Sequence, residues 1–306
     1  MATNDVQRIK TISEFHRQRG LGKPEHPLIS LIDYSEIKHP PGMSTISWVL
    51  DFYSISLKRN IGGKLRYGQQ EYDFDEGIMF FISPGQGFRV EVTNDPNGER
   101  SGWMLLVHPD FLWNTPLART IKQYEYFDYT VNEALFLSDR EEITMGNIVQ
   151  NIRQEYHSNI DKFSQTIIIA QLESLLTYAD RFYQRQFITR KITNHKILDK
   201  LEDILNEYFA GDTLANQGLP TVHDIADKLN VSPGYLTGLL KVLTGQNTQQ
   251  HIHGKLIDKA KEKLSTTDLS VSEIAYALGF EHPQSFSKLF KTKTRLSPQE
   301  FRQSFQ

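Results

Sequence analysis

The 306-residue chain contains no cysteine. Disulfides and thiolate metal sites are thereby excluded, which suits a reducing compartment. No apolar run approaches the roughly 18 residues that a membrane span requires. The opening MATNDVQRIKTISEF lacks the apolar centre of a signal peptide, and a cytoplasmic protein is the expectation. Catalytic signatures are missing as well: there is no Ser-His-Asp motif, phosphate-cradling glycine loop or zinc-helix motif. Histidine is sparse among the strand-like segments of the first half, where His26, His39 and His108 stand far apart, whereas a metal needs several converging ligands. The one His-x-His pair, His251 with His253, falls in a helical pattern, in which side chains two residues apart diverge. No catalytic residue, metal or cofactor is expected, and the chain does not read as an enzyme.

Charge of one sign is not abundant, but it is unevenly placed. The net charge is −3; from Thr221 onward 11 Lys and Arg face 8 Asp and Glu, whereas the preceding residues carry 23 against 29. A cationic C-terminal region on an otherwise acidic chain marks where an anionic polymer would bind. The length suffices for two or three domains, each with its own core.

That same region contains an internal repeat. TVHDIADKLNVSPGYLTGLLK begins at Thr221 and SVSEIAYALGFEHPQSFSKLFK at Ser270. The first offset is 49, pairing Thr221 with Ser270, Asp224 with Glu273, Ile225 with Ile274, Ala226 with Ala275 and Leu229 with Leu278. It then becomes 50, pairing Leu236 with Phe286, Leu239 with Leu289, Leu240 with Phe290 and Lys241 with Lys291, so the second copy carries one extra residue in its turn. A hydroxyl at Thr221 or Ser270, followed three residues later by an acid, can satisfy the free amides that open a helix; the copy with Glu is expected to be the truer capping box. The Ile, Ala and Leu positions fall on one helical face, and the alanine permits close helix approach. Pro233 and Pro283 sit where a second helix starts, the position at which a missing amide hydrogen costs least. Each copy therefore predicts a short helix, a tight turn and another helix. Between them, Ile252, Leu256, Ile257, Ala260 and Leu264 recur at helical spacing, predicting a helix over about Thr248 to Ser265. Its length of about 27 Å approaches the roughly 34 Å between successive major-groove faces of a duplex.

The region from about Lys196 to Gln306 resembles the two-helix-turn-helix DNA-binding domain of the AraC/XylS family of transcription regulators. The resemblance is strongest over IAYALGFEHPQSFSKLFKTKTRLSPQEFR, with its Ile-Ala, Gly-Phe, Phe-Ser and Phe-Lys pairs and the closing Pro and aromatic-Arg pair. One departure is Arg295, where the family commonly has glycine. The positions matching the family's base readers are Gln284, Ser287 and Lys288 in the second recognition helix, with His282 and Ser285 beside them. Gln can bond adenine through both edge groups, and Lys can reach guanine acceptors. The matching positions of the first recognition helix are Gly234, Thr237 and Gly238, so we expect only a thymine methyl contact by Thr237, phosphate contacts or shape recognition there. Lys241, Lys291, Lys293 and Arg295 are the candidate phosphate contacts.

The first half changes character. After a short helix predicted near Val6 to Gln18 come strand-like segments from Pro27, Ser47, Gly77 and Gly102, and a turn signal, NDPNG, at Asn94. Many short strands without helical interludes suggest a sandwich or small barrel. The AraC/XylS resemblance implies a cupin-like sensing barrel here, over residues 1–137, with YDFDEGIMFFISPGQ similar to the family's barrel hairpin. Tyr53, Tyr67, Phe81, Arg89 and Trp103 are candidates to line an effector site. From Ser138 to Phe187 helical periodicity returns. Ile167, Ala170, Leu172, Leu175, Leu176 and Ala179 form an apolar stripe broader than one barrel requires, which suits a helix pair that also faces a second subunit. The resemblance implies dimerisation by this segment. Residues 188–195 read as a basic linker, and 196–306 as the DNA-binding domain.

A multidomain fold results: a mostly β N-terminal part with a helical pair, and an all-α C-terminal part. The function expected is a homodimeric regulator that binds promoter DNA, responds to a small-molecule effector and, as the resemblance implies, activates transcription through RNA polymerase. Nothing in the residues fixes the sign of regulation. Two alternatives stand beside it: a cupin-type small-molecule-binding protein or enzyme with a vestigial DNA-binding domain, and a nonspecific architectural DNA binder.

Overall fold

Strands dominate the first of two units, Met1–Gln186 and Phe187–Gln306. The computed structural model describes residues 6–37, 45–59, 66–67, 70–71, 77–91, 101–129, 133–158, 161–189, 191–210, 214 and 218–304. The N-terminal unit runs β1 (Val6–Ile9), α1 (Ile12–Gln18), β2 (Ile29–Asp33), β3 (Thr45–Leu50), β4 (Tyr53–Arg59), β5 (Arg66–Tyr67), β6 (Gln70–Glu71), β7 (Ile78–Ile82), β8 (Gly87–Glu91), β9 (Ser101–Val107), α2 (Leu117–Thr120), β10 (Leu135–Phe136), α3 (Asp139–Tyr156) and the start of α4 (Ser164–Thr189). These strands form a three-stranded sheet ordered β1-β3-β8, a five-stranded sheet ordered β10-β7-β4-β9-β2, and a ribbon of β5 and β6. Among the described residues no sheet closes on itself, so the expected barrel is represented by two sheets packed on one another. Their contact is built from Ile9, Trp48 and Leu50 on one side and Ile32 and Leu106 on the other, with Phe15 of α1 and Phe52 filling in.

Three expectations are corrected here. Val6–Ile9 is a strand rather than the start of a helix, because it pairs in parallel with Ser47–Leu50; the helix begins only after Thr11, whose side chain accepts the Glu14 amide. The run from Ser47 is broken at Asp51 and Phe52 into two strands that belong to different sheets. The segment expected as a hairpin instead carries the chain across: β7 pairs with β4 and β10, whereas β8 pairs with β3. The NDPNG turn lies outside the described residues.

Strand β4 is central and buried over Tyr53–Lys58, because helices cover one face of its sheet and the second sheet covers the other. Register places Tyr53, Ile55 and Leu57 on one face with Phe81 and Trp103. The opposite face carries Ser54, Ser56 and Lys58, all buried, with the Lys58 ammonium 5.0 Å from the Tyr34 ring and 4.9 Å from that of Phe80. α3 starts in a capping box of Ser138 with Glu141. The broad stripe on α4 splits: Leu172, Leu175, Leu176 and Ala179 are buried, whereas Ile167 and Ala170 are exposed. Residues 188–195 are largely helical, since α4 ends at Thr189 and α5 (Lys191–Phe209) begins two residues later.

The second unit is helical: after α5 come α6 (Val222–Leu229), α7 (Pro233–Thr244), α8 (Thr248–Thr266), α9 (Val271–Ala277), α10 (Pro283–Thr294) and α11 (Pro298–Gln303). Gly211 and Asp212, residues of a type that suits the end of a helix, lie outside the described residues. One core joins Leu201, Leu205 and Phe209 of α5 to Ile225, Leu236, Leu240, Leu256, Ala260, Ile274, Phe286 and Phe290. Both copies of the repeat thus share a single hydrophobic interior.

Candidate nucleic-acid interface

Each copy folds as two helices around a left-handed turn. Thr221 caps α6 and Ser270 caps α9, each in a reciprocal box with the acid three residues on, so the Asp copy is as complete as the Glu copy. The hydroxyl and amide of Ser270 hold Glu273 below the usual carboxylate range, and the amide and hydroxyl of Thr221 do the same for Asp224. Asn230, with φ 55°, caps the end of α6, and Leu278 caps α9 just before Gly279 with φ 81°. The next amides close equivalent bonds: Val231 N–H to the Ala226 carbonyl and Phe280 N–H to that of Ala275, both at 3.0 Å. The extra residue enters just before the N-cap of the second helix, which is Ser232 in one copy and His282 in the other.

The repeat continues further than its sequence suggested. Thr244 and Thr294 each donate to the carbonyl four residues back at 2.8 Å. Asn247 with Gln250 and Ser297 with Glu300 then form further capping boxes at the starts of α8 and α11. The long central helix begins at Thr248 and ends at Thr266.

Helix α10 turns Phe286 and Phe290 into the core and leaves Gln284, Ser285 and Lys288 exposed. Their spacing puts them on one outward stripe, continued by Lys291 and Thr292. Thr292 is the residue our sequence reading omitted, although it lies one helical turn beyond Lys288. Ser287 is half-buried at the edge of the stripe, and His282 is exposed at its N-terminal end with no side-chain cap bond. Lys241, Lys293 and Arg295 are exposed too.

Helix α7 presents a different surface. Of its candidate positions Lys241 is exposed, whereas Gly234, Thr237 and Gly238 are half-buried, and the Thr237 Oγ1 lies 3.1 Å from the buried Thr248 hydroxyl. The one polar side chain expected to read bases from this helix is thus engaged by α8. Arg295 occupies the C-cap of α10 with φ 66°, the place held by Gly245 with φ 74° after α7. A non-glycine residue there costs about 1 kcal/mol or more, and its amide still closes the helix onto the Lys291 carbonyl at 2.8 Å.

A family model described as a helix-turn-helix domain matches residues 225–304, and those residues hold both turns and both outward helices. The C-terminal unit is an AraC-family helix-turn-helix domain. A transcriptional regulatory protein, YesN, of Bacillus subtilis is 38% identical over 93 residues, 30% of this chain and 25% of that protein. The transcriptional activator RhaS of an Enterobacter species is 33% identical over 110 residues, 36% of this chain and 37% of RhaS. The C-terminal domain of a yesN response regulator from Fusobacterium nucleatum is 30% identical, with a TM-score of 0.30, over 34% of this chain and 95% of that one. The chain spans between a quarter and about two-fifths of the curated relatives it matches.

Within the AraC-family domain, the closing Arg302 is structural: it donates to the Leu264 and Leu269 carbonyls at 3.2 and 2.6 Å, tying α11 to the end of α8. His251 bonds the Thr244 hydroxyl through Nε2 at 2.8 Å, and burial lowers its pKa. Burial, followed by the nearby Lys293 ammonium, lowers that of His253. Outside that domain, Tyr53 and Phe81 are buried in a ring cluster with Phe127, Tyr126 and Tyr183, which faces the helices rather than the second sheet. Trp103 lies on the same sheet face. The side chains of Tyr67 and Arg89 and all of His39 lie outside the described residues, while His26 and His108 each accept a local backbone amide. Among the described residues no helix is long and apolar enough to cross a membrane.

Proposed function

We propose that this chain is a dimeric, sequence-specific regulator of transcription whose C-terminal unit binds promoter DNA and whose N-terminal unit responds to a small-molecule effector. The observation that carries it is the exposed stripe of Gln284, Ser285, Lys288 and Lys291 on a helix whose other face is locked into the core by Phe286 and Phe290. Such a helix can offer hydrogen-bonding groups to base edges while Lys241, Lys293 and Arg295 hold phosphates. His282 and Ser287 extend the contact at its edges. Thr237 contributes through its outer surface, so α7 adds phosphate contacts and shape rather than direct reading.

A second copy of the chain docks on α4 and the residue that precedes it, where Phe163, Ile167 and Tyr178 are 56%, 43% and 37% exposed. The name of RhaS, an activator, supports activation; RNA polymerase is then the further partner. The effector acts through unequal affinity for two arrangements of the dimer.

Selection of bound sequences from a random duplex library at physiological salt, using the full chain, tests this. A recovered motif in paired half-sites is the expected result. Binding that falls with salt but enriches no motif would replace this function with architectural binding.

A further inference from the structure

A cleft of about 380 Å³ opens between the helix-facing side of the five-stranded sheet and α3. Leu57 and Trp103, opposite one another on β4 and β9, line its sheet side. Ile143, 63% exposed, and Arg153 line it from α3. The Arg59 guanidinium, also at the cleft, is already paired with the Glu142 carboxylate. Gly102 is required at this edge, because with φ 125° a Cβ would run into the Leu57 carbonyl.

Two groups at this cleft are unmet. Trp103 is 7% exposed, and its indole Nε1 has no hydrogen-bond partner among the described residues. A buried donor left so is destabilising, and native proteins tolerate few. Arg153 has no carboxylate within ion-pair distance among the described residues, although it contributes to a field at Asp33. That carboxyl is held below its usual range chiefly by the Ser35 hydroxyl. With Arg59 paired with Glu142, Arg153 is the cation of the cleft that makes no ion pair among the described residues.

We infer that this cleft binds a small monocarboxylate with an apolar body, its carboxylate on the Arg153 guanidinium and its body against Leu57, Trp103 and Ile143. One cation matches one negative charge, whereas a phosphate monoester would leave a charge unneutralised in a partly dry cleft. The volume is of the size small-molecule sites have. This inference does not depend on DNA binding, since it concerns the N-terminal unit alone.

The test uses the full chain with its Trp residues, Trp48, Trp103 and Trp113, labelled with ¹⁵N at the indole, and titrates phenylacetate against neutral phenylacetamide without DNA. Trp103→Phe assigns its signal; if that variant does not fold, Trp48→Phe and Trp113→Phe assign it by elimination. The expected result is a saturable shift of the Trp103 signal with phenylacetate only, weakened about tenfold or more in Arg153→Gln with an unchanged melting temperature. No saturable shift at millimolar phenylacetate, equal binding of the amide, or unchanged affinity in folded Arg153→Gln would each overturn the assignment.

Discussion

The two helix-turn-helix copies share one backbone scaffold and differ in the side chains it carries, outside and inside. Both open their first helix with a reciprocal box, turn through a left-handed residue and bond the amide after it to the equivalent carbonyl at 3.0 Å. Yet α7 shows Gly234 and Gly238 where α10 shows Gln284 and Lys288, and the half-buried Thr237 hydroxyl is drawn to Thr248. The interiors also differ in kind: Leu236, Leu239 and Leu240 fill the first copy, whereas Phe280, Phe286, Phe290 and Phe301 form a chain of rings 5.5 to 5.7 Å apart in the second. The difference teaches that scaffold and reader are separable demands. Turn geometry is constrained by buried backbone bonds, while an outward face is constrained only by what it touches.

Several substitutions would break or sharpen this contrast. The largest effect is expected from Phe290→Ala, which removes a fully buried ring and should cost about 3–5 kcal/mol. Its counterpart Leu240→Ala should cost somewhat less in urea unfolding of the C-terminal unit, and a reversed order would deny the ring cluster its importance. Next, Gly279→Ala should destabilise by about 2 kcal/mol or more, because φ is 81° and the new Cβ would lie 2.7 Å from the Leu214 carbonyl oxygen. Asn230→Gly at the equivalent turn should instead be near neutral.

For DNA, Lys288→Ala should relax preference at one base pair by about 1–3 kcal/mol, and Lys291→Ala should weaken all sequences alike. Thr237→Val should alter little, and equal losses on specific and random duplexes for all three would remove the distinction between reading and holding. A smaller change is expected from Arg295→Gly, which relieves the left-handed strain by about 1 kcal/mol and weakens DNA binding uniformly.

The smallest effect concerns acid. Asp224, Glu273 and Glu300 all have pKa values lowered in the fold by their capping partners. A depressed folded pKa means stability that is present above the unfolded carboxylate range and lost as pH falls through it. Thr221→Ala and Ser270→Ala should therefore lose stability at neutral pH and show a flatter acid dependence in circular dichroism, equally in the two copies.

Much of the C-terminal domain was legible because its signals are short-range. A capping residue and its partner lie three positions apart, and the apolar residues of α8 recur within one helix, so its bounds were readable to within a residue at each end. The further boxes at Asn247 and Ser297 were equally local and were overlooked. Arg302 was less readable, since the carbonyls it meets lie 38 and 33 residues away. In the N-terminal unit, Val6–Ile9 carries no local mark of its pairing with β3, and the passage from β7 to β8 hides a change of sheet.

The absence of cysteine is a matter of composition, and the repeat with its one-residue insertion and the outward placement of Gln284, Ser285 and Lys288 were determined by sequence alone, because each depends on neighbours within a few turns of chain. Tertiary structure alone decided that Tyr53 and Phe81 face the helices, that Lys58 is buried against two rings, that Ile167 and Ala170 leave the α4 stripe exposed, and that Trp103, Arg153 and Ile143 meet at one cleft. These depend on strand pairing and helix docking between distant segments, whose register is set by which faces can be buried together rather than by any local pattern.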